Sequence, residues 1–260
     1  MASNLTSGNA QSYEPGHGQR ILQGAKPDIV MLQEFNFGTN TTAELESFIH
    51  STFPLPDGGS FAWHRETGAA ATIPNGIASR WPIIDKGVWE DPASPDREFV
   101  WAKIDMPGPN DLWVVSVHLL TTDSKRPAQV DGLVNLLNTH IPVDDFLLLG
   151  GDFNTDTRTE ATVASLSARL VTSGPYPADQ NGVTFTNANR NKPYDWVLAS
   201  RCLDQNHAAT VVGSSLYPSG LVIDTRVYTP LTELAPAQVG DSSAVNMQHM
   251  GVVRDFVFYP

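Results

Sequence analysis

A chain of 260 residues with 41% hydrophobic and 17% charged side chains has enough apolar material for one large or two small cores. Its formal net charge of −12 argues against broad, non-specific binding to nucleic acid, which depends on Lys and Arg neutralising phosphates. No apolar run approaches the length of a membrane span, and the single cysteine, Cys202, excludes an internal disulfide while leaving the compartment open.

In chain order, Met1-Ala2-Ser3-Asn4 reads as the end of a first strand with hardly any approach to it. That pattern suggests a trimmed product, and secretion is compatible with it if an N-terminal leader has been removed. Gly18–Lys26 reads as a helix stopped by Pro27. Asp28–Glu34 is an apolar strand with a polar end, and Thr41–Thr52 a helix capped by Thr41 or Thr42. Short strands are expected at Phe61–Glu66, Asn75–Ser79 and Ile83–Trp89, then a hairpin of Glu98–Met106 and Leu112–Leu119. In the hairpin's second strand, Ser116 and His118 share the face opposite Val115 and Val117. Pro127–Ile141 is the clearest helix, with Val130, Leu133, Leu137 and Ile141 on one stripe. Phe146–Asn154 follows, an apolar run closed by Gly150-Gly151-Asp152-Phe153-Asn154. A helix over Arg158–Leu170 with Asp156 as its cap, a polar loop at Thr172–Pro193 and strands at Tyr194–Ala199 and Val252–Phe258 complete the reading. Strands and helices alternate with no repeat or linker, which predicts one α/β domain, residues 1–260, with strands in more than one sheet.

Polar groups without an evident structural task cluster at strand ends: Asn4, Glu34, His118, Asp152 with Asn154, Asp195 and His249. As a set they supply what metal-assisted phosphoryl chemistry requires. Carboxylate and amide oxygens suit a hard cation. A carboxylate activates or orients water, and imidazoles stabilise charge on the phosphoryl group when acidic partners hold their tautomer. His17, His50, His64, His140 and His207 are read as surface or structurally satisfied residues. Arg158 and the run Asn189-Arg190-Asn191-Lys192 offer basic side chains for a phosphate, with a solvated surface as the competing reading. Arg80 is assigned to packing or a surface pair, and Asp224 with Arg226 to a structural pair.

The ordered set Asn4, Gln33-Glu34, Ser116-Val117-His118-Leu119, Gly151-Asp152-Phe153-Asn154, Tyr194-Asp195-Trp196-Val197 and Gln248-His249 resembles the endonuclease/exonuclease/phosphatase superfamily, with its deoxyribonuclease-I-like fold. The resemblance spans essentially the whole chain. It implies a four-layer αββα sandwich with two packed mixed β-sheets and the site at one edge of both. It implies Glu34 as the main metal ligand, with Asn4 close to it. Asp152 and Asn154 orient the nucleophile and bind phosphate, and His118 contacts phosphate while leaning on Glu98 of the Arg97-Glu98 pair. His249 is the second histidine and Asp195 its carboxylate partner. Gln248 stands where the family has an Asp that helps to bind the metal or its water. An amide still offers an oxygen, but one negative charge is lost, so weaker metal binding or a shifted metal preference is expected.

The implied function is a divalent-metal-dependent phosphodiesterase using Mg2+ or Mn2+, acting on nucleic acid, a small molecule or a lipid head group. The alternatives are a phosphomonoesterase, or a catalytically impaired binding module because of Gln248. A phosphoester substrate, which includes nucleic acid, is the expected partner, with no membrane span and a monomer as the expected state.

Overall fold

The computed structural model describes residues 1–7 and 16–259. Its strands are β1 (Ala2–Asn4), β2 (Ile29–Gln33), β3 (Ala62–Arg65), β4 (Gly76–Ser79), β5 (Ile83–Trp89), β6 (Phe99–Ile104), β7 (Leu112–His118), β8 (Phe146–Asp152) and β9 (Asp195–Ala199). Shorter ones follow: β10 (His207–Ala208), β11 (Thr210–Val212), β12 (Ser215–Tyr217), β13 (Leu221–Ile223), β14 (Gly251–Val253) and β15 (Asp255–Phe256). The α-helices are α1 (His17–Ala25), α2 (Thr42–Thr52), α3 (Arg126–His140), α4 (Ala161–Leu166) and α5 (Arg201–Asp204).

Two large mixed sheets result. One has six strands in the order β13-β14-β1-β2-β4-β3, and the other has five, β5-β6-β7-β8-β9. Each contains one parallel pair, β1 with β2 and β7 with β8, flanked by antiparallel neighbours. Alternation within the strands makes the layers. Val30 and Leu32 of β2 pack on Leu22, Phe48 and Ile49 of α1 and α2. Between them in sequence, Met31 turns inward to meet Val114 of β7 and Leu148 of β8 across the sheet interface. On the second sheet Val115, Val117, Leu147 and Leu149 face outward onto Val130, Leu133 and Leu137 of α3 and Val163 of α4. Helix, sheet, sheet and helix therefore stack around three apolar layers, the sandwich that the resemblance implies.

Most expected elements occur within a residue or two. The α2 cap is Thr41, in a capping box with Glu44. Two expectations shift. The helix over Arg158–Leu170 shrinks to α4, because Glu160 stands at its N-cap and turns back to accept from Thr157 N at 3.1 Å. Asp156, expected as that cap, pairs instead with Lys192. The closing strand Val252–Phe258 divides into β14 and β15, which pair with different partners, β13 and β10. The stretch with weak patterning after Ala199 holds β10–β13, strands of two or three residues each, too short to show a period. No helix among the described residues is long and apolar enough to cross a membrane.

The parallel pairs aim the site. β1 and β2 run side by side and end at Asn4 and Gln33, while β7 and β8 end at His118 and Asp152 in direct register. A polar bridge ties the two sheets just behind these ends: Gln33 Nε2 donates to Ser116 Oγ at 2.9 Å, and Ser116 Oγ donates to Leu32 O at 3.0 Å. Gly151 lies at the closest approach, with φ +140° and its Cβ position only 2.0 Å from Val117 O and 2.8 Å from Gln33 Nε2. Only glycine fits there.

Candidate active site

Asp152 is the hub. It is 1% exposed, and its Oδ2 accepts from Asn4 Nδ2 at 3.0 Å. The same oxygen lies 3.2 Å from His118 Nε2 and 3.4 Å from His249 Nε2. Its other oxygen accepts from Asn154 N at 2.8 Å, which closes a tight turn off the strand end. Asn154 takes φ 51° there, and its Nδ2 donates to Leu119 O at 2.9 Å. Glu34, the other residue off a central strand end, is also left-handed at φ 54°. Two non-glycine residues in this region at one cleft mark backbone held against its preference, at about 1 kcal/mol each.

Glu34, His118, Asp152, Asn154, Gln248 and His249 all line one cleft of about 560 Å3. Six dispersed sequence positions therefore meet in one cleft. Asn4 and Asp195 stand one layer behind. The Asn4 amide donates to Asp152 and to Glu34 Oε1 (3.2 Å), while its own oxygen accepts from Thr6 N at 2.8 Å. So oriented, Asn4 pins two carboxylates together, and its oxygen is spent on the main chain. Asp195 Oδ2 lies 3.0 Å from His249 Nδ1, and Asp195 N donates to Thr186 Oγ1 at 2.7 Å. Gln248 is exposed at the lip and is held through its main chain, its N donating to Thr6 Oγ1 and its carbonyl accepting from Ala188 N.

Glu98 does not join His118. The group against the ring is Arg97, whose Nη1 lies 2.8 Å from His118 Nε2, and His118 Nδ1 is buried with no hydrogen-bond partner among the described residues. Extending the β6–β7 register past Val100–Ser116 would set Glu98 opposite His118, but the ladder ends at that pair. Glu98 N instead donates to Glu66 Oε2 at 3.0 Å, and Glu98 O accepts from Asn75 Nδ2 at 2.6 Å. The peeling of this strand turns Arg97 into the cleft. Sequence reasoning missed Arg97, although it is one half of the Arg97-Glu98 pair, and it missed the Tyr194 ring, 5.6 Å from that of His249.

The other basic candidates lie elsewhere. Arg158 stacks over Tyr176 at 3.9 Å and Trp196 at 4.6 Å and does not line the cleft. Arg190 pairs with Asp179 and Asp224, and Lys192 with Asp156. Arg80 pairs with Asp28, and Arg226 with Asp224, as expected.

Electrostatics at the hub are strongly coupled. Burial, then the charges of Asp195 and Glu34, raise Asp152 to about 7 against the opposing pull of His249 and the Asn154 N–H. Burial works against a charged His249, but Asp195, Asp152 and Glu34 outweigh it and lift the imidazole to about 10. His118 moves the other way, well below its ordinary value, through burial and the charges of Arg97 and His249. One ring is therefore cationic and the other neutral at pH 7.

The donor set fits a divalent cation. Asp152 and Asp195 bring carboxylate oxygens within 4.8 Å of one another, and Asp195 Oδ1 is buried with no hydrogen-bond partner among the described residues. Glu34 stands on the open side of Asp152, sharing its Asn4 donor. Burial raises Asp152 most, and the carboxylates of Asp195 and Glu34 add an excess of negative charge that a hard cation would relieve.

Comparison with known proteins agrees with the geometry. The model of the Endonuclease/Exonuclease/phosphatase family matches residues 19–217. Among solved structures, an endonuclease/exonuclease/phosphatase family protein from Leptotrichia buccalis superposes with a TM-score of 0.60 at 15% identity, covering 99% of this chain and 98% of that one. One from Bacteroides vulgatus gives 0.58 at 14% identity, covering 80% and 87%, and a β-hairpin deletion mutant of Staphylococcus aureus beta toxin gives 0.52 at 18%, covering 77% and 86%. No curated protein matches the chain. The likeness to solved structures shows the fold, and with the family match over 19–217 it establishes that this chain belongs to the endonuclease/exonuclease/phosphatase family.

Proposed function

We propose that the cleft hydrolyses phosphoesters, phosphodiesters in particular, with Mg2+ or Mn2+ held by Glu34 on the Asp152 side. The observation that carries this reading is the convergence of His118, His249, Asn4 and Asn154 on the two oxygens of one buried carboxylate, Asp152. When bound, the cation supplies Lewis-acid polarisation of a phosphoryl oxygen.

The chain's own groups do the rest. Asp152, poised near neutrality, orients the attacking water and accepts its proton. Asn154 braces that carboxylate through its main-chain N–H. The charged His249, steadied by Asp195 at Nδ1, presents Nε2–H to the charge that develops on the phosphoryl group. Arg97 adds a fixed positive charge beside neutral His118.

Among the described residues Arg97 is the only Lys or Arg lining the cleft, and the chain is acidic overall. A compact phosphodiester suits that surface better than a long duplex, whose backbone needs many cationic contacts. One observation favours a second reading: with Gln248 at the lip, the cleft has one carboxylate fewer than the family pattern, which suits a module that binds a phosphoester without cleaving it. A panel of phosphodiesters and phosphomonoesters, each assayed with Mg2+, Mn2+ and chelator, separates the readings. Metal-dependent turnover of a diester supports the first, and binding without turnover supports the second.

A further inference from the structure

We infer that Gln129, on the outer helix α3, is a positioning residue for the Arg97–His118 pair. The inference rests on the phosphoester reading of the cleft. Gln129 is 4% exposed and points into the gap between two loops, not into the cleft. Its Oε1 accepts from Leu120 N at 2.9 Å, and its Nε2 donates to Asp91 Oδ2. One amide thus ties the loop that leaves β7 to the loop that enters β6.

Each loop carries one member of the pair. On the β7 side, Leu120 lies two residues past His118, and between them Leu119 N donates to Asp152 O at 2.8 Å while Leu119 O accepts from Asn154. On the β6 side, Asp91 shapes a turn, its Oδ1 accepting from Ala93 N at 3.0 Å and its carbonyl from Ser94 N at 3.1 Å. Ser94 Oγ then accepts from Arg97 Nε at 2.9 Å, which aims Nη1 at His118 Nε2. Hydrogen bonds from Leu120 through Gln129, Asp91, Ser94 and Arg97 to His118, and the main chain from His118 to Leu120, together close a ring. A carboxamide is the side-chain group that accepts from a main-chain N–H with one atom and donates to a carboxylate with the other. Leucine would fill the space and make neither bond, and glutamate would make only the first.

The test uses the full chain with Mg2+ or Mn2+, bis(4-nitrophenyl) phosphate as substrate and inorganic phosphate as competing anion. Gln129→Leu is expected to lose about tenfold in kcat/KM and to weaken phosphate inhibition by about the same factor, the scale of a lost buried hydrogen bond. In an Arg97→Gln background the same change is expected to add less than about a further twofold, because its effect runs through Arg97. Donor and acceptor can also be exchanged. Gln129→Glu alone sets carboxylate against carboxylate and is expected to be poorer than Gln129→Leu. Adding Asp91→Asn restores the bond between positions 91 and 129 with donor and acceptor exchanged, leaves the bond from Leu120 N in place, and is expected to recover activity to within about threefold of wild type.

Equal losses from Gln129→Leu with and without Arg97, or a folded double exchange no better than Gln129→Glu alone, would overturn the relay while the site reading stands. Where Gln129→Leu fails to fold, the comparison of Gln129→Glu with the double exchange decides. A wild-type protein that turns over no phosphoester and binds no phosphate fails the site reading itself, and the relay falls with it.

Discussion

Arg97 Nη1 and His118 Nε2 are 2.8 Å apart, and a guanidinium can only donate. His118 therefore accepts at Nε2 and, being neutral, carries its proton at the buried and unpartnered Nδ1. The same Nε2 lies 3.2 Å from Asp152 Oδ2, so two acceptors face each other unless a proton or a cation sits at the carboxylate. That contact adds to the burial and the neighbouring carboxylates that already push Asp152 towards neutrality, and the cleft calls for positive charge.

Arg97 and Glu98 consequently separate under mutation. Arg97→Gln is expected to cost about a hundredfold in kcat/KM, the scale of one donor to a developing oxyanion. Glu98→Gln, at a position whose main chain makes the structural bonds, is expected to stay within about threefold of wild type. Steady-state kinetics of the two variants check this, and the reverse ranking would restore Glu98 as the partner of His118.

This pair also marks where the sequence stops being legible. Apolar strands closed by polar residues are visible as runs, so the ends at Glu34, His118 and Asp152 stand out, and the ordered set of motifs brings the sandwich with them. The alternation in β7 puts Ser116 and His118 on one face from sequence alone, and the packing of the two sheets turns that face inward. What decides between Arg97 and Glu98 is the point at which β6 leaves its ladder, and that depends on Glu66 and Asn75, distant residues that capture its main chain. The same limit applies to Asn4. Its place beside Glu34 was legible, but the orientation that spends its oxygen on Thr6 N is a matter of local turn geometry. From its position after Asn154, Arg158 offers a basic side chain to a phosphate or to solvent, and the sequence does not separate the two. Stacking on Tyr176 and Trp196 and a bond to Thr184 O hold it elsewhere.

Gly151→Ala tests the backbone at the hub. With φ at +140° and a Cβ position 2.0 Å from Val117 O, alanine forces β7 and β8 apart or Asp152 out of place. A loss of about 3 kcal/mol or more in urea unfolding is expected, with activity falling further than stability in the protein that remains folded. An alanine variant of unchanged stability would contradict the register described here.

For the metal-free protein, the His249 shift has a definite sign. Its folded value, about 10, lies above the ordinary 6.5, so the proton is bound more tightly in the folded state. The stability it contributes is fully present below about pH 6.5 and is lost as pH rises through about 10. Urea titrations of wild type and His249→Gln from pH 6 to 10.5 are expected to converge as pH rises. A gap that widens with pH would show that His249 is neutral in the folded protein.

Mg2+ or Mn2+ is expected to raise Tm, by about 2.7 kcal/mol of added stability at a hundredfold excess over Kd. Glu34→Gln is expected to abolish that gain. Gln248→Asp, which returns the missing carboxylate to the lip, is expected to tighten metal binding by about tenfold. Isothermal titration of the three proteins checks both. An unchanged affinity in Gln248→Asp would place position 248 outside the metal's reach.

The most direct measurement is hydrolysis of a phosphodiester by wild type and by Asp152→Asn, with Mg2+ or Mn2+ and with chelator, alongside thermal unfolding of both proteins. The expected result is metal-dependent turnover that falls by about a thousandfold or more in the variant. The variant's metal-free Tm should be unchanged or higher, because Asn removes a carboxylate that burial and its neighbours already disfavour. Turnover that survives in folded Asp152→Asn, or wild-type turnover indifferent to chelator, would contradict a phosphoester site organised around Asp152.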